Sequence, residues 1–303
     1  MDGENAIVVR NLVKHYEGFS LDNVCFEIPK GSVVGFVGEN GAGKSTTIKA
    51  ILGLIPVDNG EIELLGHRIK PDGYEETWKE EIGVVFDECN FPLSLKVKNI
   101  GKVMRNIYHN WDQTKFENYL MRFALPLEKK IKELSKGMKM KLSIAVALSH
   151  DSKLLILDEA TGGLDPVVRN EILDIFREFI EDEEHTVFLS SHITSDIEKI
   201  ADYVMLIHKG KLIFTENKDE LLYQYGIVRC TKDQALLIPD NIILGKEESA
   251  FETSVLVKDK TLLQESGFMR KAKEMSEISP VIDKAGIEDV LLYAVKCEGE
   301  KQL

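Results

Sequence analysis

The chain has 303 residues, enough for about two domains, and at 44% hydrophobic it can bury a core. Against 51 acidic residues it carries 38 basic ones, a net charge of −13, which excludes a general electrostatic drive toward nucleic acid or anionic lipid. Its longest apolar runs, such as 142–148 and 154–157, stop well short of the roughly 20 residues a membrane-spanning helix needs.

The opening residues include Asp2 and Glu4 and show no basic segment followed by an apolar core, so no leader is read and a cytosolic location is expected. Cys25, Cys89, Cys230 and Cys297 are scattered without a CxxC pair. They read as reduced packing residues rather than a zinc site or a disulfide framework.

From 6 to 65 short apolar runs alternate with polar residues, as in Val24, Phe26, Ile28 and Ile62, Leu64, the period-2 pattern of a small sheet. Within it the compact apolar run 32–37 leads through glycines to Ile48, Ile51, Leu52 and Ile55 at helical spacing, so the order is strand, glycine loop, helix. A strand is predicted at 82–86, then a helical block at about 97–150. One face of that block carries Val97, Ile100, Met104, Ile107, Tyr108 and Trp111, and another Phe116, Tyr119, Leu120 and Phe123. Strands return at 154–157, 186–190 and 203–207. The helical patterns Ile172, Ile175, Phe176, Phe179 and Ile197, Ile200, Ala201 separate them, which implies a largely parallel α/β sheet. A turn at Lys209 and Gly210 joins two further apolar runs, and past about Gly226 the segments become short and irregular.

Gly38, Glu39, Asn40, Gly41, Ala42, Gly43, Lys44, Ser45 fits G-x-x-x-x-G-K-[ST] and lies between a strand and a helix, as a phosphate-binding loop requires. Glycines let successive N–H groups turn toward phosphates, the helix N-terminus adds positive potential, Lys44 reaches the β and γ phosphates and Ser45 ligates Mg2+. Thr46 adds a phosphate contact. Leu154, Leu155, Ile156, Leu157, Asp158, Glu159 is an apolar strand ending in two carboxylates, of which Asp158 suits the Mg2+ shell and Glu159 the polarisation of attacking water.

Between these halves Leu134, Ser135, Lys136, Gly137, Met138 opens a helix with Met138, Leu142, Ala145, Val146 and Ser149 on one face, Ser135 serving as its N-cap. With this segment the sequence resembles the ATPase subunit of ABC transporters over about residues 6–225. The family signature is usually written LSGGQ, and the form LSKGM is similar to that of bacterial exporter subunits with a single ATPase core. The fold so implied is α/β: a P-loop NTPase core of the ABC type with an antiparallel β subdomain and a helical subdomain at about 88–150. Residues 226–303 would form a small α+β accessory domain similar to the C-terminal region of drug and peptide exporter ATPases.

The resemblance assigns the remaining residues. Tyr16 stacks on adenine, worth on the order of 1 kcal/mol. Gly163, Leu164, Asp165 matches the D-loop at a dimer interface, and Pro166 fits the first turn of the next helix. His192 matches the switch histidine at the γ phosphate. Ser135 and Gly137 face the γ phosphate of ATP held by a second ATPase chain, identical or paralogous, so that ATP bridges two subunits. Asp87 stands where the family has a glutamine that touches Mg2+, and Ala160 where a proline is common. The expected cofactors are ATP and Mg2+ and the expected partner is an integral-membrane permease, contacted by residues 91–105 and Trp111; no nucleic acid is expected. The protein would be peripheral on the cytoplasmic face, driving export of drugs, antimicrobials or peptides. The alternative is a soluble ABC ATPase acting on translation or DNA, which usually has two cores or a coiled-coil insertion and basic surfaces. A regulator without catalysis would have lost Lys44 or Glu159, and both are present.

Overall fold

A computed structural model describes residues 5–69, 77–249 and 252–300. The chain divides into two compact units, Met1–Thr215 and Glu216–Leu303, a division that falls before the change in sequence character at Gly226. The first unit opens with β1 (Asn5–Tyr16) and β2 (Phe19–Pro29), an antiparallel hairpin whose register ends with Tyr16 opposite Phe19. Next come β3 (Val33–Val37), the glycine loop, α1 (Lys44–Ile51), β4 (Asn59–Leu64) and β5 (His67–Arg68). Beyond β6 (Ile82–Val85) lie α2 (Ile100–Met104), α3 (Gln113–Arg122) and α4 (Lys136–Ala147). The unit then alternates β7 (Leu154–Asp158), α5 (Pro166–Phe179), β8 (Thr186–Ser191), α6 (Thr194–Ile200) and β9 (Tyr203–His208), and ends in β10 (Lys211–Asn217), which crosses into the second unit.

Two sheets result. One runs β2-β1-β4-β5, and the other, six-stranded, runs β10-β9-β3-β8-β7-β6. In the second sheet β9, β3, β8, β7 and β6 pair in parallel. Every residue of β3, β7 and β8 is buried, as expected of parallel strands covered on both faces. In β2, Val24, Phe26 and Ile28 point inward while Cys25 and Glu27 face out, so Cys25 is exposed rather than a packing residue, a consequence of the two-residue period. Phe26 of the antiparallel sheet meets Phe36 and Phe188 of the parallel sheet, with ring centroids 6.3 and 5.9 Å away, and the latter two lie 5.3 Å from each other. This aromatic cluster joins the two layers. Lys209 and Gly210, at φ 46° and 78°, close the β9–β10 hairpin, and a Cβ on Gly210 would stand 1.8 Å from Ser20 O.

The helical region departs from the continuous face read between Val97 and Trp111. Val97–Asn99 is a 3-10 turn leading into the five-residue α2, and Ile107 is 57% exposed. The segment before α2 is tied to 129–131 instead: Val97 N–H donates to Lys129 O, Ile131 N–H donates to Leu95 O, and Lys96 bridges Lys130. Val97, Ile100 and Met104 are buried as expected, and Tyr108 stacks on the buried His150 ring at 4.0 Å. Phe116 and Leu120 form the buried stripe of α3. Helix α4 buries Met140, Leu142, Ile144, Ala145, Val146 and Ala147, wider than the predicted stripe because its C-terminal half lies against β6; a Cβ on Gly83 would reach 2.8 Å from Ala147 O.

The second unit contains α7 (Lys218–Gln224), β11 (Gly226–Cys230), α8 (Lys232–Ala235), β12 (Ile243–Glu248), β13 (Thr253–Val257), α9 (Lys260–Glu265), α10 (Phe268–Met275), β14 (Val281–Lys284) and α11 (Ile287–Glu300). Its antiparallel sheet runs β12-β13-β11-β14 over a core of Val228, Val255, Val257, Leu263 and Phe268. Gln234 is fully buried and ties the unit together: Oε1 accepts from Thr231 N–H, and Nε2 donates to Ala272 O and Ile278 O. The apolar run at 235–238 closes α8 and the turn after it, with Leu236 82% exposed. Among the described residues no helix is long and apolar enough to cross a membrane.

Candidate active site

At the carboxyl edge of the parallel sheet the chain leaves β3 through the glycine loop and enters α1 at Lys44. Gly43, at φ 118°, is the N-cap, and a Cβ there would stand 2.8 Å from Leu21 Cδ2 and 3.1 Å from Phe19 Cζ. Only glycine meets both the positive φ and this close approach. The same contact seats the β1–β2 hairpin on the loop. Tyr16, opposite Phe19 in that hairpin, keeps a ring 48% exposed, with Lys14 Nζ 5.3 Å from its centroid. Asn40 and Gly41 are exposed at the loop tip, and Thr46 is half-buried.

Lys44 is 5% exposed, and its ammonium donates to Gly38 O at 2.7 Å and Glu39 O at 3.3 Å. Glu159 Oε1 lies 3.3 Å from the same nitrogen. The other carboxylate oxygen, Oε2, is 2.5 Å from His192 Nδ1. Lys44, Glu159 and His192 therefore form one chain of contacts drawn from α1, the end of β7 and the loop after β8. Glu159 adopts φ 54°, a left-handed conformation uncommon outside glycine; such strain clusters at functional positions.

A second cluster sits beside it. Ser45 Oγ donates to Asp158 Oδ1 at 3.0 Å, and Ser190 Oγ donates to the same oxygen at 2.7 Å. Glu159 N–H donates to Ser190 Oγ at 3.1 Å. Ser190 thus braces both carboxylate residues from β8, the strand lying between β3 and β7. No sequence motif marked it; the signal was its place two residues before His192 on a fully buried strand.

Asp87 stands two residues past the end of β6, at the same sheet edge, since Val85 pairs with Leu157. Its side chain is exposed and lines a cavity of about 530 Å³ with Glu88, Lys136 and Lys139. Of the residues expected to hold Mg2+, Ser45 and Asp158 are in direct contact, and Asp87 lines the cavity at the same sheet edge. Residues 91–105 touch this cavity through Leu93 alone among its described lining, and Trp111 instead tilts against Phe116.

Ser135 and Gly137 lie elsewhere. Ser135 Oγ accepts from Met138 N–H at 3.2 Å as the N-cap of α4. A cavity of about 420 Å³ holds Ser135, Lys136 and Gly137 together with Gly163, Leu164 and Asp165, and no phosphate-loop residue lines it. Asp165 caps α5, its Oδ1 accepting from Val167 and Val168 N–H at 3.1 Å, with Pro166 at the first helical position.

A mostly parallel sheet that gathers a G-x-x-x-x-G-K-S loop, a carboxylate-ended strand and a histidine at one edge defines a P-loop ATPase. Residues 21–162 match the family described as ABC transporter. The chain is 29% identical over 297 residues to the uncharacterized ABC transporter ATP-binding protein YhcH of Bacillus subtilis, covering 97% of this chain and 92% of that one. It is 34% identical to the lantibiotic transport ATP-binding protein SrtF of Streptococcus pyogenes, covering 70% and 90% of the two chains. Among solved structures, an ATP-binding subunit of an ABC transporter superposes with a TM-score of 0.63 at 27% identity, over 72% of this chain and 92% of that one. The chain belongs to the ATP-binding subunits of ABC transporters, and it is an ATPase.

Proposed function

We propose that this subunit powers a separate membrane permease that exports antimicrobial compounds or peptides, working at the cytoplasmic side as a dimer with an identical or paralogous ATPase chain. The likeness to a lantibiotic transport protein supports the cargo class. The observation that carries the catalytic reading is the contact chain Lys44–Glu159–His192 beside the Ser45–Asp158 pair. Ser45 and Asp158 present oxygen donors 3.0 Å apart, which suits a hard divalent cation, and Mg2+ held there would offset negative charge on the phosphates. Tyr16 offers a face for adenine, and the amides of Gly38 to Thr46 cradle the phosphates.

Glu159 is held at both oxygens, by Lys44 and His192. A γ phosphate draws Lys44 away, frees Oε1 to accept a hydrogen bond from water, and leaves His192 orienting the carboxylate. Glu159 then polarises the water for attack. The exposed Ser135 and half-buried Gly137, apart from their own phosphate loop, complete the site of the second chain, so the isolated monomer hydrolyses slowly.

The test is to purify the full chain from gently solubilised membranes, identify what co-purifies by mass spectrometry, and measure Mg-ATP hydrolysis of the complex. A stoichiometric multi-span protein and turnover abolished by Glu159→Gln are expected. Recovery with ribosomes or DNA-repair factors and no membrane protein would overturn the transport reading.

A further inference from the structure

Behind the proposed site lies an unsatisfied pair of charges. Asp196 is 0% exposed, and neither of its carboxylate oxygens has a hydrogen-bond partner. Arg169 Nε, 3.9 Å from Asp196 Oδ2, is likewise a buried donor without an acceptor. Buried polar groups are normally paired, and the exceptions call for a physical reason. If the pair served stability alone, a closed contact or an apolar replacement would do better, because the open pair pays the desolvation of Asp196 with a weakened attraction and no hydrogen bond to offset it.

Position in the fold supplies the reason. Arg169 lies in the first turn of α5, four residues after Asp165, and its Nη2 donates to Leu164 O at 3.4 Å. Asp196 lies in the first turn of α6, four residues after His192. Arg169 sits about one helical turn past the N-cap Asp165, and Asp196 sits in the first turn that follows His192 and the extended N-cap Ile193. A single guanidinium thus faces the carbonyl of Leu164 on one side and the helix that follows His192 on the other.

We infer that Arg169 and Asp196 are a positioning couple that links the Gly163–Asp165 loop to His192. The pair stands about 1 Å beyond a charge-assisted hydrogen bond, whose N···O distance is about 2.7–2.9 Å. Closing it draws together the first turns of α5 and α6, carrying Asp165 and His192 with them. The orientation of His192 against Glu159 thereby responds to the loop that lines the Ser135 cavity. The inference rests on the proposed roles of Glu159 and His192, and the couple itself touches no reacting atom.

The experiment measures kcat, KM for Mg-ATP, nucleotide affinity and thermal midpoint of the full chain for Arg169→Met, Asp196→Asn, their combination and Arg169→Lys, with Glu159→Gln as control. Each single change to Met or Asn lowers kcat about tenfold and leaves KM and affinity within about twofold, the pattern of a group acting only in the chemical step. The double variant is no slower than the worse single one, as for partners in one interaction, and Arg169→Lys recovers part of the loss. The couple is overturned if the single variants keep full turnover, if their losses multiply in the double variant, or if the losses track falling thermal midpoints. Should Asp196→Asn not fold, Arg169→Lys turning over no faster than Arg169→Met overturns it. Full turnover in Glu159→Gln instead removes the site reading itself, whatever the couple does.

Discussion

Replacing Glu159 with glutamine separates two roles that the contact chain assigns to one carboxylate. Its Oε1 lies 3.3 Å from Lys44 Nζ, with side chains 17% and 5% exposed. At an effective dielectric of about 20 that separation is about 5 kcal/mol of gross attraction, and a hydrogen bond to a charged group nets about 1.5–3 kcal/mol. Glutamine keeps an acceptor but not the charge, so about 1 kcal/mol of the hold on Lys44 is released. ATP, which competes with Glu159 for that ammonium, then binds about fivefold more tightly, while loss of the general base lowers turnover by about 10²–10⁴. Titration with a fluorescent ATP analogue and steady-state phosphate release measure the two effects separately. Unchanged or weaker affinity would refute the competition for Lys44, and turnover within about threefold of the parent would refute the role of Glu159 as base.

Lys44→Ala removes the donor to Gly38 O and Glu159 and lowers nucleotide affinity by about 10- to 100-fold, as lost charge-assisted contacts imply; the same titration checks it, and unchanged affinity removes the phosphate-loop assignment. Phe188→Ala empties the centre of the Phe26–Phe36–Phe188 cluster and costs about 3–5 kcal/mol in chemical denaturation of the first unit. Gln234→Leu strands Thr231 N–H and the carbonyls of Ala272 and Ile278 and lowers the stability of the second unit by about 2–4 kcal/mol, read from its unfolding transition. Burial pushes the Cys230 thiol up to about 11, against about 8.5 in the unfolded chain. The unfolded thiol ionises first, so the contribution is complete below about pH 8.5 and is lost as pH rises toward 11. Unfolding midpoints at pH 8 and 10 should therefore differ, and Cys230→Val should flatten that difference. In native protein iodoacetamide should label the exposed Cys25 well before Cys230.

Elements whose signal is local were legible in the sequence. The continuous apolar runs of β3, β7 and β8 read as buried strands because parallel strands are covered on both faces. The stripe Ile172, Ile175, Phe176, Phe179 read as a helix, and all four are buried. Lys44, Ser45, Asp158 and Glu159 were singled out by motif and His192 by family resemblance, and the structure brings the five together at one sheet edge. The stretch around Ile107 misled, since α2 ends at Met104 and the local turn that follows leaves Ile107 57% exposed.

The sequence by itself determined the residue types, their order and the fold class. Periodicity and motif spacing are properties of neighbours in the chain, and they can be read along it. Only the tertiary structure decided which distant side chains meet: Ser190 on Asp158, Glu159 between Lys44 and His192, and Arg169 left 3.9 Å from Asp196. Those contacts join β3, β7, β8 and the helices after them, and strand order in a parallel sheet is set by crossover packing, which leaves no trace in local spacing.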